Sequence, residues 1–194
     1  MITNSTTDCE KYLKLEITND ASIKKSDLPS EFCEESYLIV DEFIKKTANL
    51  NYEILIYFDY LTGELINCKI GRGENIIFSF NEDDFKEKHV ASLHNHTKEM
   101  YTPPSDKNFG IFSRDWEDYE LIAGWNCLWI LKGKIKDNNL VKELRIESRK
   151  LFISSHSYCS RRFENINEIN DKCDELYGKR LSNYINNKKI IKYA

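Results

Sequence analysis

The sequence predicts a single α/β domain in which one helix precedes a β-sheet and further helices follow it. Three observations support this prediction. The length of 194 residues is that of one domain with its own core. A helical period of apolar residues precedes several runs rich in β-branched and aromatic residues. A second helical period follows these runs near the C-terminus, so the chain mixes α and β structure.

Composition excludes several classes of protein. With 41% apolar, 31% charged and 12% aromatic residues, the chain has the make-up of a globular protein rather than a disordered one. A net charge of −4 argues against a nucleic-acid partner. No apolar run approaches the ~20 residues of a membrane helix, and the N-terminus lacks the pattern of a secretory signal. The six cysteines form no Cys-x-x-Cys pair. We therefore expect free thiols, no membrane partner and a cytoplasmic location.

Residues 1–30 are predicted to form an N-terminal extension, because they are rich in polar residues and mostly lack a period. The exception is the segment 12–17. There Leu13, Leu15 and Ile17 alternate with charged residues, and this alternation predicts a short strand.

The next stretch predicts a helix followed by a hairpin. Apolar residues recur at helical spacing from Glu31 to Ala48, and lysines stand in the last turn. Two β-rich runs, 52–58 and 65–70, flank a glycine-containing turn and predict an antiparallel pair. A further strand is predicted over residues 76–80.

The remaining elements follow the same logic. A strand over 88–93 is followed by a proline-containing loop, and Ser105 is the predicted N-cap of a helix over 106–113. Two more strands, one stretch of undecided type and one long helix with a candidate break complete the prediction. These are the strands 121–123 and 126–133, the ambiguous stretch 142–151, and a long helix over 161–191 with Gly178 as a candidate break.

The most informative feature is the triplet His94-Asn95-His96 at the end of a predicted strand. Side chains two residues apart on a strand point to the same side, so both imidazoles could bind one zinc ion. Zinc lowers the pKa of a bound water toward ~7, and catalysis then needs a carboxylate as general base. The alternative interpretation is a pair of histidines with purely structural hydrogen bonds.

The order strand, H-x-H, loop, serine, acidic residue and helix resembles the JAMM (MPN+/JAB) metallopeptidase family, whose pattern is an upstream Glu, then H-x-H, then S-x-x-D. The resemblance runs from about Glu31 to Lys134. It implies a JAB/MPN-like core over residues 31–135, with a central mixed sheet flanked by helices. Residues 136–194 would then be a C-terminal extension of strand and helix.

The resemblance also implies roles for individual residues. His94 and His96 would be zinc ligands. Glu53, at the start of a β-run, would take a proton from the zinc-bound water and deliver it to the leaving amine. Ser105 would donate a hydrogen bond to the oxyanion. The implied protein is a zinc-dependent, deubiquitinase-like hydrolase that cuts a peptide or isopeptide bond in a protein or peptide substrate, for example next to the C-terminus of a ubiquitin-like protein.

The third zinc ligand departs from the family pattern. Three residues after the serine, where the family has Asp, this chain has Asn108, whereas Asp106 directly follows the serine. Asp106 is the preferred ligand because a charged oxygen binds zinc better than an amide oxygen. Two alternatives stay open: Asn108 ligates through its carbonyl oxygen, or the metal site is degraded. In the last case the domain would be a non-catalytic JAB-like module that binds a partner protein.

Two charged clusters remain. Residues 115–120 combine acidic and aromatic side chains, which predicts either a lip of the substrate groove that could supply the missing ligand or a solvated loop anchored by Trp116 and Tyr119. The pairs Arg161-Arg162 and Lys188-Lys189 are interpreted as solvated charges rather than a nucleic-acid patch.

Overall fold

A computed structural model describes residues 4–71, 82–97, 103–105, 107–124, 127–133 and 138–187. Within these ranges, five strands form one mixed sheet with helices on both faces, which confirms the α/β class. The helices and strands occur in the order α1 (Asn4–Leu13), α2 (Glu34–Thr47), β1 (Ile54–Asp59), β2 (Leu65–Ile70), β3 (Val90–Asn95), β4 (Tyr119–Ala123), β5 (Leu128–Lys132), α3 (Asn138–Ser160) and α4 (Ile166–Asn187).

The sheet has the strand order β2-β1-β3-β4-β5. Strands β1 and β2 form the predicted antiparallel hairpin, and β4 and β5 form a second antiparallel pair. Strand β3 lies between the two pairs and runs parallel to β4, so the chain must cross over from β3 to β4. The crossover spans residues 96–118 and includes a 3-10 helix, Asn108–Ser113.

One face of the sheet packs against α1 and α2. The predicted helix over 31–48 is confirmed as α2, which begins after Cys33, whose sulfur accepts a hydrogen bond from the main-chain N–H of Ser36. The strand predicted over 12–17 is wrong, because this segment includes the end of α1. Leu13 and Ile17 are exposed, so their alternation marks no buried face, and Tyr12 packs on Phe43 instead.

The other face packs against the 3-10 helix, α3 and α4, which share one apolar cluster with the sheet. The helix predicted over 106–113 is shorter and of the 3-10 type, and Ser105 is not its N-cap, since Lys107 holds that place. Helix α4 continues through Gly178, so the predicted break is wrong. A Cβ atom at Gly178 would lie 3.3 Å from the Trp129 ring and 3.5 Å from Pro103, so this glycine permits close packing.

Several other expectations can be compared with the structure. All six cysteines are free thiols, as predicted. No helix in the described part of the chain is long and apolar enough to span a bilayer. The strand predicted over 76–80 and the zinc ligand predicted at Asp106 lie outside the described residues. The boundaries at residues 30 and 135 stay predictions.

Candidate functional site

The candidate site lies where β1, β3 and β4 run side by side. Leu55 of β1 is opposite His94 of β3, and paired residues in a ladder share one face of the sheet. Continuing this alternation beyond the strand ends places Glu53 and His96 on that same face. Glu53 and both histidines are buried, with 8 to 9% of each residue exposed. The fold therefore brings the predicted base and the predicted ligand pair to one end of the sheet.

The two histidines are close neighbours. Their ring centroids are 5.2 Å apart. Burial lowers the pKa of His94 well below its ordinary value, and the positive charges of His96 and Arg114 act in the same direction. His94 is therefore a neutral imidazole, which is the form that can bind a metal ion or accept a hydrogen bond.

Asn108 contacts His94 directly. Its Nδ2 lies 3.2 Å from His94 Nε2 and donates to Glu120 Oε1 at 2.8 Å. Its Oδ1 accepts two hydrogen bonds from Ser105, one from the main-chain N–H at 2.7 Å and one from the hydroxyl at 2.8 Å. The amide oxygen is thus engaged by Ser105 and the amide nitrogen is directed to His94. This orientation argues against Asn108 as a ligand through its carbonyl oxygen.

Glu120 is a buried carboxyl group beside His94. Its Oε1 lies 3.8 Å from His94 Nδ1, and its buried Oε2 accepts no hydrogen bond within the described ranges. Burial raises the pKa of Glu120 to about 8, and the neighbouring Glu117 adds to the shift. A carboxyl group with this pKa exchanges a proton near neutral pH, which is a property common at functional sites.

Arg114 compensates the buried acids. Its guanidinium donates to Glu117, which also accepts a hydrogen bond from the hydroxyl of Ser92, and it lies 3.6 Å from Glu120. Glu117 is fully buried, so without these partners its charge would be very costly. The cluster over residues 115–120 is thus not a solvated loop throughout, because Glu117 and Glu120 point into the protein.

The sequence reasoning singled out the 115–120 cluster but missed Arg114 and Ser92. One signal could have located Glu120: it is a single carboxylate within the apolar strand β4, where burial requires a partner or a function. Nothing local marks Arg114, because its role depends on a strand that is distant in the chain.

Asn95, the middle residue of the triplet, holds the main chain on both sides of Glu53. Its Oδ1 accepts from the N–H of Ile54 at 2.7 Å, and its Nδ2 donates to the carbonyl of Tyr52 at 3.1 Å. Both neighbours of Glu53 are therefore bound by one side chain. This makes Asn95 a positioning residue for Glu53, a role that the sequence did not predict.

The loop that carries Ser105 is held by the C-terminal helices. The hydroxyl of Tyr177 in α4 donates to the carbonyl of Pro104 at 2.8 Å, and Pro103 packs near Gly178. Ser105 itself is exposed. Helix α4 thus fixes the main chain next to Ser105 while leaving the serine hydroxyl accessible to a ligand.

The residues fit a zinc ion in part. His94 is neutral and adjacent to His96, as ligation requires. In the parts of the chain that the structure describes, no three His, Cys, Asp or Glu side chains are grouped to hold a metal. Asp106, the predicted third ligand, lies outside these ranges.

Comparison with known proteins assigns this chain to no family. No protein-family model, curated protein or solved structure matches this chain.

Proposed function

We propose that this protein is a zinc-dependent hydrolase of the JAMM type that cleaves a peptide or isopeptide bond. One observation carries the proposal: the H-x-H segment and the segment that begins at Ser105, which are separate in the sequence, meet through the contact between His94 and Asn108. The resemblance to the family rests on these same two segments. Their meeting at one end of the sheet, beside Glu53, supports a common site.

In this proposal His94, His96 and Asp106 would hold the zinc ion, which would supply Lewis acidity. Glu53 would accept the proton of the attacking water and pass it to the leaving amine. The hydroxyl of Ser105 now donates to Asn108 and would rotate to donate to the developing oxyanion. Burial of Glu53 limits competing solvent at that carboxylate.

The proposed substrate follows from the family resemblance, and the proposed location follows from the free thiols. We propose a protein or peptide substrate, such as a chain linked to the C-terminus of a ubiquitin-like protein. We place the activity in the cytoplasm because six free thiols are typical of a reducing compartment.

A second candidate function is a non-catalytic module of the same fold that binds a partner protein. One observation favours it: Asn108 Nδ2 faces His94 Nε2, the atom whose lone pair a metal would need, and Asn108 Oδ1 is already engaged by Ser105. In this alternative the polar cluster would be a relic of a metal site.

Metal content and turnover distinguish the two functions. The full chain, purified and then supplied with zinc, should hold about one zinc ion per chain by elemental analysis. With an isopeptide-linked ubiquitin dimer as the probe, Glu53→Gln should retain the zinc and lower turnover by ~10²- to 10⁴-fold. The exposed Glu16→Gln is the matched control and should change neither quantity. A chain that accepts no zinc would support the non-catalytic module.

The third ligand has its own test. Asp106→Asn should weaken zinc binding by at least ~10-fold, since removing a ligand costs more than disturbing its surroundings. Asn108→Asp should leave the affinity within about threefold if Asp106 already ligates, and should raise it strongly if it does not. Competition with a chelator of known zinc affinity measures both changes.

A further inference from the structure

A cleft of about 810 Å³ lies between α3 and α4. Three arginines line it: Arg161 and Arg162 from the turn after α3, and Arg180 from α4. Two of them lie near the ring of Tyr158. The guanidinium carbon of Arg162 is 4.1 Å from the centre of this ring, and that of Arg180 is 5.9 Å away.

The charge of these arginines is not neutralised within the described residues. Arg180 donates to the hydroxyls of Ser154 and Ser155, both at 3.1 Å, and these are neutral partners. Arg161 and Arg162 are exposed, and no carboxylate in the described ranges pairs with either. Three cations therefore face one cleft, where their mutual repulsion is unfavourable unless an anion is bound.

Three lysines on the same helices behave differently. They form ion pairs outside the cleft, with distances of 2.5 Å for Lys150 to Glu147, 3.2 Å for Lys172 to Glu175 and 2.8 Å for Lys179 to Glu175. Carboxylates are thus available on α3 and α4, yet none of those named here approaches the arginines. Among the described residues, the arginines of the cleft therefore lack ion pairs because of their position, and not because α3 and α4 lack carboxylates.

The wider charge distribution points the same way. Residues 138–187 contain nine Lys and Arg against seven Asp and Glu, whereas the whole chain contains 28 against 32. The two C-terminal helices and the turn between them therefore carry a small positive charge within an acidic protein, and this charge favours anions.

We propose that this cleft binds the phosphate groups of a nucleotide-sized oligophosphate ligand. Guanidinium groups match phosphate oxygens with paired hydrogen bonds, and Arg stacks on aromatic rings as Arg162 does here. The volume falls within the ~300–1,000 Å³ range of small-molecule sites. Ser154 and Asn183 add neutral polar groups to the lining. This site is separate from the proposed hydrolase centre and does not depend on it.

Calorimetric titration of the full chain with ATP, inorganic triphosphate and adenosine tests the proposal. ATP and triphosphate should bind with dissociation constants below ~1 mM, and adenosine should not bind. The double variant Arg161→Ala, Arg162→Ala should weaken both phosphate ligands by at least ~10-fold. Because both side chains are exposed, the fold should be retained, and circular dichroism checks this.

The matched control is Arg145→Ala with Arg149→Ala, which removes two charges from α3 at a different cleft. It should leave triphosphate binding within about twofold, whereas Arg180→Lys should weaken it severalfold by losing the guanidinium fork. Equal losses in the two double variants would show general charge attraction only and would overturn the proposal. Absence of triphosphate binding, or binding of adenosine alone, would also overturn it.

Discussion

The two faces of the sheet contain neighbouring residues of the same strands in opposite environments. Toward α1 and α2, Phe58 and Leu93 belong to a fully buried apolar cluster. Toward the site, Ser92, His94 and Glu120 are buried together with ionisable partners. The first face stabilises the fold by removing apolar surface from water. The second face buries ionisable side chains at positions where apolar side chains would stabilise the fold at least as well. The retention of such groups is typical of a functional site.

The largest effect should come from the apolar face. Phe58→Ala empties a fully buried position and should lower the free energy of unfolding by about 3–5 kcal/mol, measured by urea denaturation. The exposed Leu13→Ala is the control and should change stability by less than about 0.5 kcal/mol. A loss below about 1 kcal/mol in Phe58→Ala would contradict the assignment of this face as the main core.

The next effect should come from the buried ionisable groups of the candidate site. Arg114→Met leaves Glu117 and Glu120 without their cation and should cost about 3 kcal/mol at a pH above about 8, where Glu120 is ionised. The cost should shrink as the pH falls through neutral, because burial has raised the pKa of both carboxyl groups and they become neutral. Adding Glu117→Gln and Glu120→Gln to the variant should restore most of the stability. If the triple variant is no more stable than Arg114→Met, the charges do not explain the loss.

A smaller effect is expected at the end of β3, where Asn95 binds the main chain around Glu53. Asn95→Ala leaves the Ile54 N–H and the Tyr52 carbonyl unpaired and should cost about 1–3 kcal/mol. Asn49→Ala, which removes a hydrogen bond at an exposed position, should cost less than about 1 kcal/mol. If Asn95→Ala and Asn49→Ala lose the same stability in thermal unfolding, Asn95 has no special role.

The smallest effect concerns Glu31 at the rim of the apolar face. A hydrogen bond from the Tyr119 hydroxyl, main-chain hydrogen bonding and Lys132 lower the pKa of Glu31 to about 2. Its ionised form therefore adds stability above its ordinary pKa of 4.5, and this stability is lost as the pH falls toward 2. Because the side chain is 37% exposed, Glu31→Gln should cost less than about 1 kcal/mol near neutral pH.

Unfolding measured across this acidic range checks the sign. The difference in stability between the native chain and Glu31→Gln should narrow from neutral pH to pH 2. A difference that is constant with pH would show that ionisation of Glu31 is not the cause.

Local elements were predictable because their signals are local. The helical spacing of apolar residues in α2 and the turn between β1 and β2 are both determined by consecutive residues. Both predictions are confirmed. The strand predicted over 12–17 failed because alternation predicts a strand only where one side is buried, and Leu13 is exposed in α1. Packing against Phe43 decided that segment instead.

For the candidate site, the sequence by itself determined which chemical groups are present. His94 and His96 could be paired from spacing alone, since strand geometry repeats every second residue. The contact between Asn108 and His94, and the burial of Glu120 beside them, were decided only by the tertiary structure. The parallel register of β3 and β4 brings these residues together across the chain, and no local propensity specifies a register between distant strands.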